Sequence, residues 1–227
     1  MAVTEEAHVY AERIAEIEQR IERACRESDR SRDEVTLIVV SKFHPQETVR
    51  ALASIGVKDF GENRHQEARA KARETEDLDI RWHFVGQLQS NKARQAAQYA
   101  SSIHSLDREA VIDALATIEQ PIDGFLQVNM TADEGRGGIE PADLERMTEH
   151  VLGVEAITLR GVMAVAPLGE EAGRAFERLR GYSERVQALA PEATSISAGM
   201  THDFEEALRW GATHLRIGSA ITGNRAY

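Results

Sequence analysis

The feature that most constrains the fold is a regular alternation, from Val35 onward, of short apolar or β-branched runs with helical stretches. This alternation is typical of βα units, which build parallel sheets. The runs predicted as strands are Val35–Ser41, Val57–Gly61, Arg81–Gly86, Ser102–Leu106, Ile122–Asn129, Ile157–Val165, Thr194–Ala198 and His214–Ile217. The helices predicted between them are Gln46–Ile55, Arg64–Glu76, Asn91–Tyr99, Arg108–Ile118, Pro141–Leu152, Gly169–Leu189 and Phe204–Trp210. The pattern predicts a single (β/α)₈ TIM barrel of the α/β class, with residues 1–227 as one domain.

An extra helix is predicted before the first strand, because apolar residues recur there at steps of three and four. They are Tyr10, Ile14, Ile17, Ile21 and Ala24. Such a stripe packs against a neighbouring apolar surface. Few residues follow the eighth strand, so no helix is predicted there. We therefore expect the extra helix to cover the side of the barrel that an eighth helix would otherwise cover.

An open, doubly wound sheet is the rival architecture. Its nucleotide-binding form needs a glycine-rich turn after the first strand, but that turn reads Ser41–Pro45 and contains no glycine. The Gly135–Gly138 cluster lacks the Gly-Lys-Ser/Thr sequence of a phosphate-binding loop. The closed barrel remains the favoured fold.

Composition and charge argue against several classes of function. The 27 basic and 38 acidic residues give a formal charge of −11, which disfavours binding to nucleic acid or to an anionic membrane. The longest apolar run, Val35–Val40, is too short to span a bilayer, and Met1–Ala11 does not resemble a secretory signal. Cys25 is the only cysteine, which suits a reducing cytosol. No metal site is predicted, because the eight histidines form no metal-binding motif.

Lys42 is the first candidate for chemistry. In a barrel the site is built where the strands end, and Lys42 directly follows the apolar run Leu37–Val40. We expect its amine to lie at the mouth of the barrel over apolar walls, which would favour the neutral form that attacks an aldehyde. A lysine at a strand end is also often an ordinary solvated residue.

Two later turns predict an anion site. Ser197–Thr201 joins the seventh strand to a helix, and Arg216–Ser219 closes the eighth strand. Backbone N–H groups at such turns bind anions, and barrels commonly bind phosphate at this position. Together with Lys42, these turns predict a bound phosphorylated aldehyde.

Several ordered motifs resemble the signatures of the YggS/PROSC family of pyridoxal phosphate homeostasis proteins. They are Val40–Lys42, Phe60–Asn63, Trp82–Lys92, Ser197–Met200 and Arg216–Gly223. The resemblance runs from the first helix to Tyr227. It implies a barrel like the N-terminal domain of alanine racemase, a fold type III pyridoxal phosphate barrel. It also implies that pyridoxal 5′-phosphate (PLP) is held covalently as an internal aldimine on Lys42.

The resemblance also implies roles for individual residues. Asn63 would lie beside the cofactor ring, and Arg216 would approach the pyridine nitrogen. A guanidinium there would discourage protonation of that nitrogen and weaken the electron sink. The phosphate would be held by Ser197, Gly199, Met200, Thr201, Gly218 and Ser219.

Other residues carry more open interpretations. The commoner family pattern differs from this sequence at Phe43–His44 and at Arg136. Because arginine cannot form a Schiff base, a second covalent site near Arg136 is doubtful. Glu62 is either a general base or a carboxylate that orients neighbouring backbone or Lys42. His83 and His104 are predicted to be hydrogen-bonded structural residues. The Asn91–Lys92 pair has no chemistry assigned to it.

Three functions fit these residues. The favoured one is a cytoplasmic, monomeric PLP homeostasis protein that binds the cofactor without substantial turnover, with PLP-dependent apo-enzymes as implied partners. The alternative is a PLP-dependent amino-acid racemase, although inversion of a stereocentre needs a second base on the opposite face. A Schiff-base aldolase that uses the same lysine and phosphate turns without a cofactor is the third.

Overall fold

The computed structural model describes residues 5–131 and 133–223, and within them parallel strands close into a barrel in the order β1 to β8. The strands are β1 (Thr36–Val40), β2 (Asp59–Glu62), β3 (Arg81–Phe84), β4 (Ala100–Leu106), β5 (Ile122–Gln127), β6 (Ile157–Met163), β7 (Ser195–Ser197) and β8 (His214–Ile217). Thr36 to Val39 of β1 pair with His214 to Ile217 of β8, which closes the sheet. The predicted barrel is confirmed.

Helices alternate with these strands as predicted. They are α1 (Glu5–Glu27), α2 (Gln46–Ser54), α3 (His65–Glu74), α4 (Ser90–Ala96), α5 (Glu109–Leu115), α6 (Leu144–Leu152), α7 (Ala172–Leu189), α8 (Phe204–Arg209) and α9 (Ser219–Thr222). The four-residue α9 was not predicted, because one helical turn is too short to show a periodic pattern. Within the described ranges, no helix combines the length and apolar character needed to cross a bilayer.

Helix α1 packs against α2, α8 and α9, beside the junction of the last and first strands. Tyr10, Ile17 and Ile21 are buried on its apolar stripe. On the polar side, Arg20 donates two hydrogen bonds to Glu205 of α8, at 3.0 and 2.7 Å. This position confirms that the N-terminal helix takes the place of a full eighth helix.

The barrel interior contains polar side chains as well as apolar ones. His83 and His104 are 6% and 0% exposed, and the His104 ring stacks on Phe125 with centroids 4.3 Å apart. Buried polar groups are tolerated where they are hydrogen-bonded. Both rings have such partners, since they bond to each other and also to Asp59 and Ser197, so the prediction that they are hydrogen-bonded structural residues is confirmed.

Candidate functional site

The turns after β1, β7 and β8 lie side by side at the carboxyl end of the barrel. A Cβ placed on Gly218 would lie 3.3 Å from the carbonyl oxygen of Val40, so the turn after β8 adjoins the end of β1. The backbone N–H of Arg216 donates to the carbonyl oxygen of Gly199 at 3.0 Å, which joins β8 to the turn after β7. The structure therefore brings the predicted anion turns next to the strand that leads into Lys42.

Lys42 is exposed in the turn that follows β1, with its Nζ 5.9 Å from the centroid of the Phe43 ring. The expectation that apolar walls surround its amine is wrong, because the chain turns out of the sheet after Ser41. Phe43 has a φ of +68°, which is unusual for a bulky residue and is often found at functional sites. The amine is thus presented at the rim, where a ligand from solvent can reach it.

A buried ion pair holds the backbone just before Lys42. The Nζ of Lys71 donates to the carbonyl oxygen of Ser41 at 2.8 Å and to Glu62 Oε1. The Ser41 hydroxyl donates to the same carboxylate oxygen at 2.9 Å. Burial raises the pKa of Glu62 although Lys71 opposes the shift. Of the two roles considered for Glu62, the structure favours orientation of the backbone beside Lys42.

Asn63 follows β2, which is the strand paired with β1 on the side opposite β8. Its backbone is tightly packed, since a Cβ on Gly86 would lie 2.2 Å from the Asn63 carbonyl oxygen. Its side-chain Oδ1 is buried and has no hydrogen-bond partner among the described residues. Asn63 therefore offers a fixed, free acceptor near the rim.

The turn after β7 is built for close packing. Gly199 has a φ of +92°, and a Cβ there would lie 2.9 Å from both the Ala207 Cβ and the Phe204 Cα of α8. The backbone N–H of Met200 donates to Asp203 Oδ1 at 2.6 Å, so it would have to leave this carboxylate to bind an anion. Thr201 follows in the same turn, and Gly218 and Ser219 form the corresponding turn after β8.

Arg216 is a buried cation in the wall below these turns and is only 5% exposed. Its guanidinium donates to the Ser197 hydroxyl at 2.7 Å and to the carbonyl oxygen of Ala164 at 2.8 Å. Burial lowers the pKa of Arg216 to about 10, so the side chain remains charged at neutral pH. The Ser197 hydroxyl is also 2.8 Å from the Nδ1 of His104, and it is fully buried.

Two other features are not part of this group of turns. Lys92 lines a groove of about 730 Å³ on the outer surface between α3 and α4. The candidate site is placed at the mouth of the barrel and not in this groove, because Lys42 and the two anion turns lie at the mouth. No chemistry is assigned to Asn91–Lys92. Arg136 is exposed in the connection between β5 and α6. No group of three potential metal ligands occurs in the described parts of the chain.

Comparison with known proteins agrees with this geometry. The family model described as "Alanine racemase, N-terminal domain" matches residues 14–226, so fold and site define a barrel of that class. The Pyridoxal phosphate homeostasis protein of Pseudomonas aeruginosa is 38% identical over 224 residues, which cover 96% of each chain. That of Mycobacterium leprae is 35% identical over 232 residues, covering 92% of this chain and 90% of the relative. The chain belongs to the family of pyridoxal phosphate homeostasis proteins.

Solved structures give the same result. PipY of Synechococcus elongatus, solved with PLP bound, superposes with a TM-score of 0.81 at 35% identity, covering 94% of this chain and 100% of that chain. Alanine racemase of Corynebacterium glutamicum superposes with a TM-score of 0.72 at 14% identity, covering 95% of this chain and 62% of that chain. The second likeness shows the fold alone.

Proposed function

We propose that the protein binds PLP as a Schiff base on Lys42 and serves PLP homeostasis without substantial turnover. One observation carries the proposal: an exposed lysine follows β1 at the carboxyl end of the barrel, where the turn after β8 adjoins the end of that strand. The names of its relatives and the PLP bound to PipY support it. When bound, PLP supplies an aldehyde for the amine and a ring that can act as an electron sink.

The remaining residues fit the group. Asn63 has a buried, unpartnered oxygen that can accept a hydrogen bond from a ligand beside β1. Gly199 and Gly218 lack a Cβ where their turns approach α8 and β1, so backbone can face a phosphate. We assign the phosphate to backbone and hydroxyl groups of the two turns that contain Ser197, Gly199, Met200, Thr201, Gly218 and Ser219. Arg216 is assigned to the pyridine nitrogen.

The charge of Arg216 determines how strongly the site would activate the cofactor. With a pKa of about 10 the guanidinium is still charged at neutral pH. A permanent cation beside the pyridine nitrogen disfavours its protonation, and an unprotonated ring is a weaker electron sink. Weak activation of the cofactor suits a carrier, but the same arginine also fits a racemase, so an assay for racemisation has to separate the two.

The test begins with protein as purified. We expect a near-visible absorption band that borohydride abolishes, and a reduced adduct that mass spectrometry places on Lys42. Lys42→Ala should lose the band, whereas Lys58→Ala, which removes an exposed lysine paired with Asp79, should keep it. A band retained by Lys42→Ala would refute the proposal.

Homeostasis requires delivery as well as binding. Loaded protein should restore activity to a PLP-dependent apo-enzyme, and wild-type protein should leave the optical rotation of L-alanine unchanged. Racemisation that Lys42→Ala abolishes would favour the racemase instead. We further propose a cytoplasmic monomer, which light scattering and cell fractionation can check.

A further inference from the structure

A chain of hydrogen bonds crosses the barrel interior from Arg216 to Asp59. Arg216 Nη1 is 2.7 Å from Ser197 Oγ, and Ser197 Oγ is 2.8 Å from His104 Nδ1. His104 Nε2 is 3.1 Å from His83 Nδ1, and His83 Nε2 is 2.9 Å from Asp59 Oδ1. The Ser197 to His104 contact joins β7 to β4, which are not neighbours in the sheet, so the chain runs through the barrel.

The donor and acceptor properties of these groups fix the direction in which every hydrogen bond of this series is donated. Arginine can only donate, so Ser197 Oγ accepts a hydrogen bond from Arg216 and its own O–H is free to donate. The acceptor in place for this O–H is the Nδ1 of His104. His104 is neutral, since burial lowers its pKa well below the usual value, and it therefore carries its proton on Nε2.

The same reasoning continues to the carboxylate. The Nε2–H of His104 donates to Nδ1 of His83, which must then be unprotonated. His83 therefore carries its proton on Nε2 and donates it to Asp59. Arg81 holds that carboxylate by two further hydrogen bonds, at 2.7 and 2.6 Å, and the pKa of Asp59 lies below its usual range. Asp59 is thus a fixed acceptor that sets the direction of the whole chain.

We infer that Asp59, acting through His83 and His104, is a positioning residue for the candidate site. It turns the Ser197 hydroxyl proton into the barrel and leaves the Ser197 oxygen as an acceptor for Arg216. The inference concerning PLP rests on the proposed function, whereas the direction of the chain does not.

This assignment refines the role of Ser197. A hydroxyl that donates its hydrogen bond to His104 does not also donate to a phosphate in the mouth. Ser197 then serves the site by holding the guanidinium of Arg216, which the Ala164 carbonyl oxygen fixes from a second direction. The phosphate is left to backbone N–H groups and to the hydroxyls of Thr201 and Ser219.

The first test needs no cofactor. In apo-protein with isotope-labelled histidine, long-range proton–nitrogen correlation spectra distinguish the two neutral tautomers. His83 and His104, assigned from the signals lost in His83→Gln and His104→Gln, should both carry the proton on Nε2. A proton on Nδ1 of His104 would overturn the inference, whatever the protein does with PLP.

The second test compares variants that lie away from the mouth. His83→Leu interrupts the series of hydrogen bonds, and we expect the dissociation constant for PLP to rise about tenfold, equal to about 1.4 kcal/mol. His83→Gln, whose amide can both accept and donate, should bind PLP nearly as wild type does. Arg160→Gln is the matched control, since it removes an exposed arginine that donates to Asp123 and leaves every link from Asp59 to Arg216 in place.

The outcomes separate the two proposals. Unchanged PLP affinity in a folded His83→Leu protein would overturn the positioning role. If wild type binds no PLP, the proposed function fails, but the tautomers still decide the direction of the chain. If His83→Leu does not fold, Asp59→Leu against Asp59→Asn makes the same comparison, because asparagine retains an oxygen that accepts from His83.

Discussion

His214 should make the protein sensitive to mild acid. The side chain lies among the rings of His83, His104 and Phe125, with centroids 5.0 to 6.5 Å away. Burial, together with the neighbouring His83, lowers its pKa from 6.5 to about 4. In the unfolded chain His214 therefore binds a proton near pH 6.5, whereas in the folded protein it binds one only near pH 4.

The magnitude follows from this displacement. One pKa unit corresponds to about 1.4 kcal/mol, so His214 should remove about 3 kcal/mol from the free energy of unfolding as pH falls from 6.5 to 4. His104, whose pKa is also lowered, acts in the same direction. Asp59 acts in a lower window, because its stabilising contribution is lost only as pH falls below its ordinary value of 3.8.

Urea denaturation at stepped pH measures the effect. Glu62 has a raised pKa and opposes the histidines, so the test is the difference between wild type and a variant. His214→Gln should lose less stability between pH 7 and pH 4.5 than wild type does. His8→Gln, which changes an exposed histidine, should match wild type. An equal pH dependence in His214→Gln and wild type would refute the reasoning.

Further predictions concern packing and charge. Lys71→Met leaves Glu62 buried without its cation and should cost about 3–5 kcal/mol in urea denaturation; a loss below about 1 kcal/mol would mean that the pair does not support the turn. Gly86→Ala forces a Cβ against the Asn63 backbone and should cost about 2–3 kcal/mol and weaken PLP binding in a spectroscopic titration; unchanged affinity would argue against Asn63 as a ligand. Arg20→Gln breaks a half-exposed pair with Glu205 and should cost at most about 1 kcal/mol in the same denaturation assay; a larger loss would mean that this pair, rather than apolar packing, holds α1.

The architecture could be predicted because each βα unit has its own local pattern. Boundaries were less accurate: Val57–Gly61 was predicted where β2 is Asp59–Glu62, and Thr194–Ala198 where β7 is Ser195–Ser197. Strand ends depend on pairing with neighbouring strands, which apolar periodicity does not show. The rim position of Lys42 followed from the rule that barrel sites form where strands end.

The hydrogen bond that joins Ser197 to His104 could not be predicted from local sequence patterns. The two residues are 93 positions apart on strands that do not pair. Alternation within β3 and β4 can indicate which side chains point inward, but it does not show which of them meet across a barrel. The exposure of Lys42 was missed for a related reason, since the left-handed turn at Phe43 has no signal in a non-glycine residue.

The exposed position of Lys42 has a consequence for delivery of the cofactor. A carrier whose lysine is enclosed must open before a second amine can reach the linkage, and its release rate would then follow local unfolding. Lys42 is exposed in the folded protein, so attack by a free amine needs no such opening. We therefore expect hydroxylamine to release PLP at a rate proportional to its concentration and unaffected by urea below the unfolding transition. Stopped-flow absorbance measures this rate, and Lys58→Ala is the control. Release that accelerates in urea well below the transition would show that a buried linkage, and not an exposed one, has to be freed.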